Sequence, residues 1–257
     1  GLLFIIHKTK DFFLEETMFK DKIAVITGGS HGIGLAAAQE FIKAGANVAV
    51  MDLNPCSESF ALFYQGDIAN EGDLNVFASK VIHRFGKVDY LINNACISRG
   101  GILSGCSYDD FLYVQRIGLA APYILTKLFL PHFNPNGAVV NISSTRAYQS
   151  QPDTESYSAA KGGITALTHA LAVSLAGIVR VNCISPGWIS TTADEFCLAD
   201  NVQHPSRRVG VPSDIANMVL YLCSEKAGFI NGENIIIDGG MSKQMIYHND
   251  HSWKLEA

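Results

Sequence analysis

Ile23 to Gly34 reads IAVITGGSHGIG. Its first five residues, through Thr27, are β-branched or small and apolar, the composition of a strand buried on both faces of a parallel sheet. The glycines that follow permit a tight turn and let another group approach the backbone closely. An alanine-rich stretch of helical character then runs to Lys43. Strand, glycine-rich turn and helix, in that order, make a cradle for the pyrophosphate of a dinucleotide. The helix N-terminus turns its open N–H groups and a partial positive charge toward the phosphates.

Outward from this stretch, Asn47 to Met51 (NVAVM) reads as a second buried strand that ends at Asp52. A carboxylate at that place accepts both ribose hydroxyls of an adenosine and repels a 2′-phosphate. No arginine follows it, so the residues favour NAD over NADP. Further strands are predicted at Ala61 to Gln65, Val88 to Ile92, Ala138 to Ser143, Val179 to Ile184 and Asn234 to Ile237. Helices are predicted at Glu71 to Phe85, Tyr108 to Phe133 with an interruption at Pro122, Tyr157 to Leu175, and Ile215 to Ser224. The small residues Gly162, Gly163, Ala166 and Ala170 suggest close packing of that third helix against another, and a face suited to a subunit interface. Alternation of strands and helices implies α/β architecture, a doubly wound parallel sheet with helices on both faces. The connection from Asp52 to Phe60 is short and turn-rich, with little room for the usual crossover helix, so it is either trimmed or lacks residues.

The chain has 257 residues, 48% hydrophobic and 17% charged, with a net charge of −5. That composition suits one large buried core. No basic run marks a nucleic-acid partner. Cys56, Cys96, Cys106, Cys183, Cys197 and Cys223 lack C-x-x-C or metal-ligand spacing, so no metal is expected. Reduced core thiols in a cytoplasmic protein are the reading. No stretch approaches the roughly 18 apolar residues of a membrane span, so no membrane partner is expected. One catalytic domain is assigned to residues 18–240, followed by a tail at 241–257 that carries Tyr247 and Trp253. Met18 is a candidate initiator, which would make residues 1–17 an extension. An amphipathic segment packed on the domain is the equal alternative.

Ser143 to Lys161 reads SSTRAYQSQPDTESYSAAK. If Tyr157 lies at the start of a helix, the i, i+4 spacing puts Lys161 on the same face. A phenol with a pKa of about 10 is a poor base at neutral pH, and a neighbouring cation favours its ionised form. Ser144, from the end of the preceding strand, can hydrogen-bond the same substrate oxygen. The three residues form a proton-transfer device for an alcohol or a carbonyl.

Together these marks resemble the short-chain dehydrogenase/reductase family. They are TGGSHGIG at Thr27 to Gly34, Asp52, Asp67, NNAC at Asn93 to Cys96, Ser144 with YSAAK at Tyr157 to Lys161, and SPGWIST at Ser185 to Thr191. The resemblance covers Phe19 to Gly240. It implies a single Rossmann-type sheet of seven strands, a homodimer or homotetramer, and nicotinamide-dependent oxidation of alcohols or reduction of carbonyls. It further implies that Gly28, Ser30, His31, Gly32, Ile33 and Gly34 line the phosphates. Asp52 would hold the ribose, Asp67 and Ile68 would lie against the adenine, and Asn93 and Ala95 would pass under the cofactor. Pro186, Gly187, Ile189 and Thr191 would contact the nicotinamide side. Tyr157 is implied as acid/base, Lys161 as the group that lowers its pKa and binds the nicotinamide ribose, and Ser144 as the group that positions the substrate oxygen.

Two positions depart from the family pattern. Cys96 stands where the family usually has glycine. Gly118, in Val114 to Leu119, stands where a catalytic asparagine is usual, so its proton relay would need a water or a neighbour such as Gln115. Gly118 is therefore not counted as catalytic. The implied function is oxidation of a secondary alcohol, or the reverse ketone reduction, with NAD. A 3-oxoacyl thioester reductase, which normally uses NADP, and a dinucleotide-binding sensor are the alternatives. Epimerase or dehydratase chemistry fits less well, because the polar stretch Thr191 to Val211 is short for a substrate region. That stretch reads as a lid or substrate loop and carries Phe196, His204, Arg207 and Arg208, and Arg146 follows the fifth strand. The arginines could meet an anionic substrate, but solvated surface roles are the simpler reading. Trp188 walls an apolar pocket or simply packs.

Overall fold

The structure is a computed structural model that describes residues 18–192, 194–252 and 254. The N-terminal extension and Trp253 lie outside the described residues. Seven strands form one parallel sheet: β1 (Ile23–Thr27), β2 (Asn47–Asp52), β3 (Leu62–Gln65), β4 (Val88–Asn93), β5 (Phe133–Ile142), β6 (Val179–Pro186) and β7 (Asn234–Ile237). Their order is β3-β2-β1-β4-β5-β6-β7. The chain reverses direction across the sheet between β1 and β4, which opens a crevice at the carboxyl ends of the strands.

The helices are α1 (Gly32–Lys43), α2 (Glu71–Phe85), α3 (Tyr108–Gln115), α4 (Ala121–Phe129), α5 (Glu155–Ser174), a short α6 (Leu198–Val202) and α7 (Pro212–Cys223). Side chains alternate across each strand and divide the core into two layers. Ala24, Ile26, Val48, Val50, Val140 and Ile184 pack on one face with Phe41 of α1 and Ile215, Val219 and Leu222 of α7. Val25, Ala49, Met51, Val139 and Val181 pack on the other face with Phe77 and Val81 of α2, Leu125 of α4 and Ala172 of α5. Each large side chain buried in this way stabilises the fold by about 1.5–3 kcal/mol. Among the described residues, no helix is long and apolar enough to cross a membrane.

The crossover from β2 to β3 is trimmed. It has no helix, yet Leu62 still pairs in parallel with Ala49. Asp52 faces Gln65 in this register, so β3 starts only three residues back along β2. That return is about 10 Å, which an extended loop covers easily.

The stretch predicted as one helix from Tyr108 to Phe133 is broken in two places. A π-helical turn at Arg116–Ala120 separates α3 from α4, and its Ala121 N–H donates to the Arg116 carbonyl. Pro122 follows at once and has no N–H to donate to the Gly118 carbonyl, so regular α-helix cannot run through. After α4, a 3-10 turn at Leu130–His132 leads into β5, which begins at Phe133 opposite Val88 rather than at Ala138. On α5, Gly163 faces Leu119 of the π-turn, where an added Cβ would lie 3.0 Å from Leu119 Cδ2. Gly162 faces open space.

Candidate active site

The glycine turn between β1 and α1 is shaped by its neighbours. Gly28 has φ of 66°, and a Cβ there would lie 3.0 Å from the Ala95 Cα. A Cβ on Gly34 would overlap the Gly28 carbonyl oxygen and lie 2.6 Å from Asn94 Nδ2. Asn94 fixes the turn: its side-chain amide donates to the Thr27 carbonyl at 3.1 Å and the Gly28 carbonyl at 2.9 Å. The backbone N–H groups of Asn94 and Ala95 donate to Thr27 Oγ1 at 3.1 and 3.3 Å. Asn94 was not among the predicted site residues, and its only sequence signal was the paired asparagines of NNAC. Thr191 closes over the turn, with Cγ2 3.0 Å from where a Gly32 Cβ would stand.

Asp52 is buried at the end of β2, where its carboxylate accepts from the Ser30 N–H at 3.0 Å and the Asn54 N–H at 2.9 Å. Asp67 follows β3, beside the half-buried Ile68. It accepts from the Ala69 N–H at 2.9 Å and the Tyr113 hydroxyl at 3.0 Å. Burial and then the Asp67 carboxylate raise the Tyr113 phenol above its ordinary value. The Asn93 side chain turns inward. It donates to Asn141 at 2.8 Å, and the Asn141 amide donates to Thr168 at 2.9 Å, which ties β4 and β5 to α5. Pro186 ends β6, and Gly187, Ile189 and Thr191 lead away from it. The turn lacks room for side chains at Gly28 and Gly34 and has an engaged carboxylate at Asp52. These features fit a dinucleotide, with hydride-transfer chemistry supplied by its nicotinamide.

Ser144, Tyr157 and Lys161 converge at the carboxyl end of the sheet, where β5 ends at Ile142. Lys161 is 3% exposed. Its ammonium donates to the Ile142 carbonyl at 2.7 Å and lies 5.3 Å from the centre of the Tyr157 ring. Burial opposes the charge on Lys161, but the neighbouring Cys96 and Tyr157 groups outweigh it, and the net shift is upward. Ser143 anchors the helix that carries this pair, with its hydroxyl donating to the Lys161 carbonyl at 2.7 Å. Ser144 is buried, and its Oγ accepts from the Arg146 N–H at 3.1 Å, which closes a 3-10 turn at Thr145–Ala147. Cys96 and Gly118 face each other: a Cβ on Gly118 would lie 3.1 Å from Cys96 Sγ and 2.9 Å from Ala160 Cβ. Gln115 is committed elsewhere, donating to the Ser156 carbonyl at 2.8 Å.

Two cavities meet here. One of about 210 Å³ reaches Ile33, Asn94, Cys96, Lys161 and Pro186. The other, of about 1000 Å³, runs outward past Arg146, Gln149, Gln151, Thr154, Trp188 and Asp238. Ser144, Tyr157, Gly187 and Ile189 line both. Trp188 meets the Phe196 ring edge-on at 5.4 Å, so Phe196 of the Thr191 to Val211 stretch contacts the pocket wall. His204 is buried and bonds the Asp200 carbonyl at 3.0 Å through Nδ1. Arg207 is exposed. Arg208 is held by Asp214, with two contacts of 2.6 Å. Tyr247 of the tail is exposed.

A family model described as enoyl-(acyl carrier protein) reductase matches residues 28–242. An uncharacterised oxidoreductase of Thermotoga maritima is 39% identical over 254 residues, covering 90% of this chain and 99% of that protein. A 3-oxoacyl-[acyl-carrier-protein] reductase of Chlamydia muridarum is 32% identical over 247 residues, covering 88% and 99%. The solved structure of an apo SCOR enzyme from Clostridium thermocellum superposes with a TM-score of 0.85 at 45% identity. It covers 92% of this chain and 99% of that one.

Proposed function

This chain belongs to the short-chain dehydrogenase/reductase family of oxidoreductases, and on that premise we propose that it interconverts a secondary alcohol and a ketone with NAD. The observation that carries the reading is the seam between the two cavities, where Ser144 and Tyr157 line both and Lys161 lies beneath the Tyr157 ring. Bound NAD would supply the hydride acceptor or donor. In oxidation, ionised Tyr157 takes the substrate hydroxyl proton, and Ser144 holds the same oxygen in line. The Lys161 ammonium is held beside the ring by the Ile142 carbonyl, where it completes the proton-transfer group. In reduction, Tyr157 returns the proton.

Gly28, Ser30, His31, Gly32, Ile33 and Gly34 hold the pyrophosphate in this reading, and Asp52 holds the ribose. Asp67 and Ile68 flank the adenine, and Ala95 with the Asn93 backbone runs beneath the cofactor. Tyr157 and Lys161 reach the nicotinamide ribose, while Pro186, Gly187, Ile189 and Thr191 flank the nicotinamide. The buried Asp52 carboxylate, followed by Leu53 and Asn54, supports NAD over NADP. We place the enzyme in the cytoplasm as a homodimer or homotetramer. Exposed Tyr123 and Val173 on α4 and α5 support a self-association face.

A second reading, reduction of a 3-oxoacyl thioester, is supported by the Chlamydia relative and would show itself as a preference for NADP. Tyr157→Phe is expected to abolish NAD-dependent turnover of an alcohol panel while NAD binding survives in calorimetry, weakened only by the ribose contact the phenol makes in this reading. Turnover near the wild-type level in that variant would overturn the acid/base assignment. Tight NAD binding without turnover of any alcohol, ketone or thioester by the wild type would point to the sensor alternative.

A further inference from the structure

Resting on the oxidoreductase reading, we propose that Arg146 is the anion-recognition residue of the substrate pocket and that the substrate is an alcohol carrying a carboxylate. Arg146 is fixed to the catalytic centre by its backbone, whose N–H donates to Ser144 Oγ at 3.1 Å. Its side chain is half-buried in the wall of the cavity of about 1000 Å³ that Tyr157 also lines. Among the described residues, the ion pairs join Lys22 to Asp89, Lys43 to Glu40 and Arg208 to Asp214, and none involves Arg146. Its side-chain partner is the neutral Gln151 amide oxygen.

The acidic group in the same wall is Asp238, and its carboxylate already accepts from the Gly240 N–H at 2.9 Å and the Ser242 N–H at 2.7 Å. The other polar groups around Arg146, among them Gln149, Ser150 and Thr154, are neutral. A partly desolvated guanidinium that lacks a counter-charge among the described residues, and opens into a cavity, is built to take a planar anion in two parallel hydrogen bonds. Only Thr145 separates Arg146 from Ser144 along the chain, so their Cα atoms lie at most about 7 Å apart, and the arginine side chain adds its own reach. An anion held by Arg146 therefore lies within an arginine side chain's reach of the reacting carbinol, in the cavity that Tyr157 also lines, which describes a small hydroxy acid.

The test compares short hydroxy acids with their primary amides, which match in shape and differ in charge. With NAD present, the wild type is expected to favour each acid over its amide by about ten- to a hundred-fold in kcat/KM. Arg146→Gln collapses that ratio toward one, and Arg146→Lys keeps part of it, because the charge remains and the fork is lost. Titrating glutarate and glutaramide into the protein with NAD provides a readout independent of turnover. Glutarate is expected to bind at least about ten-fold tighter in the wild type and to lose that advantage in Arg146→Gln. Equal use or equal binding of acid and amide by the wild type, or an Arg146→Gln variant that loses both members of a pair alike, overturns the proposal. A glutarate preference without turnover of any alcohol, charged or neutral, upholds the anion site and overturns the oxidoreductase reading beneath it.

Discussion

Gly118→Ala tests how tightly the floor beneath Lys161 is packed. The added Cβ would lie 2.9 Å from the Ala160 Cβ and 3.1 Å from Cys96 Sγ. Unstrained carbon contacts lie near 3.5–4.0 Å, so the neighbours must retreat by about 0.5–1 Å. Cys96 can turn about χ1. Ala160 cannot, because its Cβ is fixed to the backbone of α5 and fully buried, immediately before Lys161. Overpacking of this kind costs about 1–3 kcal/mol. Alanine in place of a helical glycine recovers up to about 1 kcal/mol.

The expected net loss is therefore about 1 kcal/mol, a fall in Tm of about 2–4 °C for a domain of this size. Thermal unfolding by circular dichroism, for wild type, Gly118→Ala, Cys96→Ala and the double variant, measures it. Removing the thiol relieves one of the two close contacts. The double variant should therefore be more stable than the sum of the singles by about 0.5 kcal/mol or more. A Gly118→Ala protein as stable as wild type, or strict additivity in the cycle, would refute the reasoning.

Two further outcomes follow from the proposed cofactor end of the site. Gly34→Ala drives a Cβ into the Gly28 carbonyl, a backbone atom that cannot rotate away, so NAD affinity measured by calorimetry is expected to fall at least about ten-fold. Unchanged affinity would mean that the turn does not contact the cofactor. Asp52→Asn keeps an oxygen for the Ser30 N–H and removes the charge. The NADP-to-NAD ratio of kcat/KM should rise about ten-fold, the equivalent of about 1.4 kcal/mol of relieved repulsion. A ratio that stays fixed would remove Asp52 from cofactor selection.

Much of this architecture is legible along the chain. The β-branched runs at Ile23–Thr27 and Val179–Ile184 are strands because such residues fill a sheet covered on both faces. The start of β5 was not legible. Asn134, Pro135, Asn136 and Gly137 are turn formers, and the segment is a strand only through its tertiary pairing, of Phe133 with Val88 and of Gly137 with Val179. Pro122 announced a break in the long helix, but not that the break would be a π-turn carrying Gly118.

For the candidate site, the sequence by itself determined which residues suited to the proposed chemistry exist and which local elements carry them: the glycine turn, Asp52, Ser144, Tyr157 and Lys161. These are signals of spacing within a turn or a few residues of helix, and local backbone geometry fixes them. Tertiary structure alone decided that Asn94 holds the glycine turn from 66 residues away, that Cys96 faces Gly118, and that, among the described residues, Arg208 is ion-paired while Arg146 bonds a neutral amide. Those facts depend on sheet register and on how helices settle against it. Residues far apart in the chain meet only once the core is packed, and no local pattern records the meeting.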